Sequence, residues 1–244
     1  MSNQTTRRGF LGATATAAAW AGGRAYSAEA SVKPGPNDTI NLGLIGCGGR
    51  GTYLMSRFLE QPGTRIVAVS DINEPRLVAA RKRAGGDTVQ AYHDYRKLLE
   101  NKDIQAVIVA TNKHWHALPT VHACQAGKDV YLEKPLAHSI GEGRAIVQAA
   151  EKYQRIVQIG TQQHSWEQYR QAVEIIRSGG LGEISEVKVW DYENQYPGWG
   201  CPPDCDPPAG LDWDFWLGPA PKKPYNPNYF LHDYWFFDYA GSFQ

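Results

Sequence analysis

Residues 43–51 read GLIGCGGRG, and this stretch constrains the fold more than any other. Gly46, Gly48 and Gly51 keep a G-x-G-x-x-G spacing. Before them runs TINLGLIG, an apolar stretch ending in glycine, as a buried strand does. After them RGTYLMSRFLE sets apolar residues at helical spacing, with Pro62-Gly63 as a stop. A strand, a tight turn and a helix start in that order make a cradle for a phosphate. The first glycine permits the turn, the second lets the backbone approach the phosphate, and the third lets helix and strand pack closely. The helix start adds free N–H groups and the positive end of its dipole. A bland glycine-rich turn carries the same letters, so the context decides.

Strand-like and helix-like stretches alternate after the turn. RIVAVSD (65–71), IQAVIVAT (104–111), KDVYLEKP (128–135) and RIVQIGTQ (155–162) read as buried strands. Helices are expected over 74–84, 93–100, 114–127 and from Ser139, a cap residue, through SIGEGRAIVQAAEKY. Such alternation predicts an α/β fold with a parallel sheet and helices on both faces. Beyond residue 160 the texture changes. SWEQYRQAVEIIRSG (165–179) reads as a helix, EISEVKVWDYEN (183–194) alternates like a strand, and 18 of the 28 aromatic residues fall in 161–244. This predicts the start of an α+β second domain with a mostly antiparallel sheet.

An acid about twenty residues past the glycine turn is the next requirement, because a carboxylate at the end of the second strand can accept hydrogen bonds from a ribose diol. Asp71 stands there. It would repel a 2′-phosphate, which favours NAD over NADP, although Arg76 nearby softens that repulsion. TNKHWHA (111–117) and EKP (133–135) sit at the carboxyl ends of later strands, where open parallel sheets bind ligands.

Taken together, G-x-G-x-x-G, the acid after the second strand, T-N-x-x-x-H-A and AGKDVYLEKPLA resemble the signature of the glucose–fructose oxidoreductase / inositol dehydrogenase (Gfo/Idh/MocA) family. The resemblance runs from residue 40 to about 244, and LDWDFWLGPAP (211–221) looks like a second-domain segment of exported members. It implies an N-terminal Rossmann domain over 39–160, a partial substrate and oligomerisation domain over 161–244, and a homo-oligomer. It implies a bound NAD(P) that exchanges hydride with a sugar or cyclitol carbon. By position, Lys134 is the catalytic lysine, Pro135 shapes the turn after it, and a cis bond before Pro135 is in keeping. Gly46, Gly48, Gly49, Arg50, Gly51, Asp71, Thr111, Asn112, His114, Trp115, His116, Glu133 and Lys134 are the expected cofactor contacts, with at least one of the two histidines expected to be structural. Gln162 and His164 are candidate substrate contacts. The family's general base lies in a D-x-x-x-H arrangement after the segment that here reads DYAGSFQ, so it is expected beyond Gln244 and the chain is expected to be truncated. Lys113 departs from the pattern, standing where smaller or acidic residues are common.

Composition narrows the remaining classes. Lys plus Arg equals Asp plus Glu at 25 each, which leaves neither a nucleic-acid footprint nor a polybasic membrane patch. Arg7-Arg8 before Phe10-Leu11, then ATATAAAWAGG and small residues to Ala30, read as a twin-arginine signal peptide over 1–30, too Gly/Ala-rich for a stable membrane anchor. Export to the periplasm by that route follows, with a Pro/Gly linker over 31–38. Cys201 and Cys205 in CPPDC leave a disulfide open, and no second Cys/His pair completes a metal site. Three readings of function stand: hydride transfer on a sugar, sugar derivative or cyclitol; glycoside cleavage through transient sugar oxidation; and non-catalytic binding of a nucleotide or sugar by a truncated protein.

Overall fold

The computed structural model describes residues 38–190 and 198–240. The expected leader, and the linker up to its last residue, lie outside them. Strand β1 (Ile40–Ile45) leads into the glycine turn and α1 (Gly49–Leu59). Next come β2 (Thr64–Ser70), α2 (Glu74–Ala84), β3 (Gln90–Tyr92) and α3 (Tyr95–Glu100). The chain continues through β4 (Ala106–Val109), a 3-10 turn (Lys113–Trp115), α4 (Ala117–Gln125), β5 (Asp129–Glu133), α5 (Ile140–Tyr153) and β6 (Val157–Gly160). The six strands form one sheet in the order β3-β2-β1-β4-β5-β6, with every neighbouring pair parallel. This is the doubly wound order. It reverses between β1 and β4, so the loops at their carboxyl ends diverge and leave a crevice.

The strands feed a core on each face, as their two-residue period requires. Leu42 and Leu44 pack with Leu54 and Met55 of α1 and Leu77 of α2. Ile45, Val107 and Val109 pack on the opposite face with Leu98, Leu132 and Ile146. Local signals set the helix starts. At α5 the Ser139 hydroxyl accepts from the Glu142 N–H while the Glu142 carboxylate accepts from the Ser139 N–H. Such a reciprocal cap contributes about 1 kcal/mol. The expected helix over 114–127 divides into the 3-10 turn and α4. Pro119 falls in the first turn of α4, where its missing N–H leaves no helical bond unmade.

Beyond β6 the expectations hold less well. A helix does form, α6 (Glu167–Arg177), but it buries none of its residues. Residues 183–190 form no strand, which corrects the expectation over 183–194, whose last four residues lie outside those described. A strand exists through its partner's ladder, and no described segment pairs with this one. The expected antiparallel sheet is therefore not present among the described residues. Residues 198–240 instead fold back on the parallel sheet. Short helices α7 (Trp213–Leu217) and α8 (Pro227–Leu231) gather Trp216, Leu217 and Tyr239 with Trp213, Tyr229, Phe230, Phe236 and Ile72. The Glu74 N–H donates to the Gly210 carbonyl at 2.8 Å, the Asp212 N–H donates to the Ile72 carbonyl at 3.1 Å, and Asn73 bridges Leu211. Cys201 and Cys205 are free, exposed thiols. Among the described residues no helix is long and apolar enough to cross a membrane.

Candidate active site

Two adjoining chambers open at the sheet's switch point. The first, of about 330 Å³, lies between the glycine turn and the aromatic segment. The second, of about 310 Å³, surrounds Lys134. Arg50, Thr111, Asn112 and Asp233 line both.

The glycines of the turn divide into two kinds. Gly46 has φ +93°, and a Cβ there would sit 2.6 Å from the Ala110 carbonyl oxygen. A Cβ on Gly51 would fall 1.9 Å from the Gly46 carbonyl oxygen. The protein's own backbone requires these two. Gly48 and Gly49 answer to nothing in the protein. Gly48 has φ −66°, open to any residue, and its Cβ would meet only the Arg76 guanidinium, at 3.7 Å. A Cβ on Gly49 would meet nothing within 4 Å. What side chains would fill is the space in front of the first N–H groups of α1. That helix start has no side-chain cap and no acid in its first turn. Its donors and its dipole fit a phosphate.

Asp71 lines the first chamber and also builds it. Its Oδ2 accepts from the Cys47 N–H at 2.6 Å and its Oδ1 from the Asn73 N–H at 2.8 Å, which ties the glycine turn to the end of β2. Burial holds the carboxyl above the usual carboxylate range, against the opposing pull of these donors and of Arg76. Each oxygen keeps a further lone pair for a ligand hydroxyl. The same burial, with Asp71 beside it, pushes the Cys47 thiol up, so this cysteine is an inert filler.

The two histidines take different places. His114 is sealed behind the first chamber. Its Nε2 donates to the Trp216 carbonyl at 2.9 Å, its ring packs on Trp216 and Tyr239, and its buried Nδ1 has no partner among the described residues. Burial lowers its pKa. Trp115 Nε1–H donates to the same carbonyl at 2.8 Å, and its side chain lines the first chamber. His116 lines the second chamber, with Nδ1 2.6 Å from the Pro135 carbonyl and Nε2 3.1 Å from that of Thr111. It thus joins the loops that follow β4 and β5. The peptide bond between Lys134 and Pro135 is cis. Glu133 pairs with Arg50 and accepts from the Lys134 N–H. Thr111 carries a buried hydroxyl with no partner among the described residues.

Gln162 and His164 lie elsewhere. Gln162 borders a groove with Tyr53, Tyr131 and Trp166, and His164 lies against α6 beside Tyr169 and Arg170. From the sequence no site role was expected of Phe215, Trp216, Phe230 or Asp233, which line the first chamber together with the glycines. Arg76, weighed only for its charge, lies over the Phe230 ring at 4.7 Å. The aromatic density around LDWDFWLGPAP was the available signal, but it does not say which rings face a cleft.

A doubly wound parallel sheet, a glycine turn at its switch point and an acid at the end of β2 define a dinucleotide-binding Rossmann protein. The model of the oxidoreductase family with an NAD-binding Rossmann fold, Gfo/Idh/MocA, matches residues 40–161, and the chain belongs to that family. It is 34% identical over 147 residues to an inositol 2-dehydrogenase of Salmonella paratyphi B, covering 59% of this chain and 44% of the relative. It is 35% identical over 122 residues to glycosyl hydrolase family 109 protein 1 of Bacteroides fragilis, covering 47% of this chain and 26% of the relative. A solved 3-ketoreductase from Actinomadura kijaniata in complex with TDP-benzene and NADP superposes with a TM-score of 0.54 at 26% identity, over 60% of this chain and 46% of that one. The chain spans less than half the length of these curated relatives.

Proposed function

We propose that the protein is an NAD(P)-dependent oxidoreductase that transfers hydride to or from a hydroxyl-bearing carbon of a sugar, sugar derivative or cyclitol. The observation that carries this reading is the pair Gly48 and Gly49, glycines that neither backbone nor packing requires, set before an uncapped helix start. They and the first turn of α1 would hold the pyrophosphate, and Asp71 the adenosine ribose. Thr111 and Asn112 would face the nicotinamide half. When bound, the nicotinamide supplies a hydride acceptor or donor. Lys134 holds the reacting hydroxyl at its Nζ and moves that hydroxyl's proton. The Asp71 carboxylate favours NAD, since a 2′-phosphate would meet its charge.

The test is to denature the purified full-length protein and identify the nucleotide released. Absence of a nucleotide, with none bound on titration, would overturn the reading. Gly48→Val is expected to weaken nucleotide binding tenfold or more while the melting temperature stays close to that of the wild type. Lys134→Met should lower kcat by about 10²–10⁴, the range of a lost acid–base group.

The likeness to a glycosyl hydrolase of family 109 favours one alternative, glycoside cleavage through transient oxidation of the sugar. An aglycone released without net NADH would establish it. Residues 1–30 support export by the twin-arginine route, which carries folded proteins and so suits cofactor capture beforehand. Retention of the full-length protein in the cytoplasm of a strain lacking that pathway tests this. The family resemblance supports a homo-oligomer, which light scattering would measure.

A further inference from the structure

Residues 210–239 are fastened to the sheet domain at the ends of β2, β4 and β5. After β2, the Glu74 N–H donates to the Gly210 carbonyl at 2.8 Å and the Asp212 N–H to the Ile72 carbonyl at 3.1 Å. After β4, the Trp216 carbonyl accepts twice, from His114 Nε2 at 2.9 Å and from Trp115 Nε1–H at 2.8 Å. The Tyr239 carbonyl accepts from the His114 N–H at 3.2 Å. After β5, His138 Nε2 lies 2.6 Å from the Phe237 carbonyl. In the sheet, β1 stands between β2 and β4. A chain that runs from the end of β2 at Asp212 to the end of β4 at Trp216 passes the end of β1, where the glycine turn lies. Phe215 and Trp216 accordingly share the lining of the first chamber with Gly46, Gly48 and Gly49.

The fastening is uneven. Trp216, Leu217 and Tyr239 are buried in one aromatic cluster. Between these anchors lies α8, which makes no backbone hydrogen bond to residues 38–160 among the described residues. It meets the start of α2 where the exposed Arg76 guanidinium lies 4.7 Å over the half-buried Phe230 ring. Both side chains line the first chamber. Breaking one exposed cation–π contact costs far less than undoing the buried cluster. The α8 edge is therefore where this segment lifts most easily.

We infer that, given the dinucleotide site proposed above, residues 210–239 are a strap over that site and α8 is its gate, latched by Arg76 on Phe230. Nucleotide enters and leaves when the gate lifts. A latch that holds before and after binding slows entry and release alike, whereas a plain ligand contact slows release alone. The full-length protein, stripped of nucleotide, is mixed with rising NADH, and in parallel NADPH, in a stopped-flow instrument. Release is timed by displacing the bound nucleotide with an excess of its oxidised form. The entry rate of the wild type is expected to level off as nucleotide rises, at the rate of gate opening. Phe230→Ala and Arg76→Met should each raise that plateau and the release rate by about fivefold or more, and the double variant should add little to either. An entry rate that stays proportional to nucleotide overturns the gate. So does a release rate that rises while entry is unchanged, or a double variant whose effects multiply. Should a variant fail to fold, the wild-type entry curve still decides. Binding without a plateau removes only the gate, whereas absence of binding by either nucleotide removes the oxidoreductase reading and the gate with it.

Discussion

Helices α1 and α6 have the same length, 11 residues, and both concentrate apolar side chains on one face. α1 buries Gly51, Leu54 and Met55 against the sheet, and α6 buries nothing. Amphipathicity states which residues seek cover, but not what covers them. In residues 40–160 each helix is delivered to the sheet by the strand before it, so local pattern and tertiary contact coincide. In residues 161–190 that link is missing, and Val173, Ile175 and Ile176 stay exposed.

Substitutions in the two regions should therefore differ widely in cost. Gly51→Ala is expected to have the largest effect, because its Cβ would fall 1.9 Å from a backbone oxygen. A loss of about 3 kcal/mol or more is expected in urea denaturation, at the upper end of overpacking costs. A loss under about 1 kcal/mol would break the contrast at its strongest point. Gly218→Ala probes the seam between the sheet and the aromatic segment. Its φ is +49°, and the added Cβ would lie 2.0 Å from the Trp115 ring. About 1–3 kcal/mol should be lost, read as an earlier thermal change in tryptophan fluorescence.

Acidification should loosen the same seam more gently. Burial depresses the pKa of His114, so the unfolded chain takes up its proton first, near its ordinary value of about 6.5. The stability tied to neutral His114 is present above that pH and is lost as pH falls below it. Fluorescence of the aromatic segment is expected to change between about pH 6.5 and 5, and His114→Gln should flatten that change. An identical profile in the variant would remove His114 from the account. The smallest effect belongs to α6, where Ile176→Ala should stay within about 0.5 kcal/mol. A larger loss would show that its apolar face is covered in solution.

The same contrast explains how much was legible in the sequence. The strand, glycine turn and helix were legible because each is written in consecutive residues, as were Asp71 and Lys134 at strand ends. β3 was passed over because three residues, QAY, carry no period. The division of the glycines into two kinds was not legible, since it depends on where Ala110 and Arg76 stand in space. His114 and His116 share a residue type and a neighbourhood in sequence, and only Trp216, Tyr239 and Pro135, distant along the chain, tell them apart. Phe230 and Asp233 reach the cleft because Asn73 and Leu211 bridge across more than a hundred residues.

The two kinds of glycine also carry a record of descent. Selection for a folded protein alone preserves Gly46 and Gly51, whatever the protein does. Gly48 and Gly49 are preserved only while a ligand is being bound. A lineage that gave up its nucleotide would drift first at those two positions and keep the sheet intact.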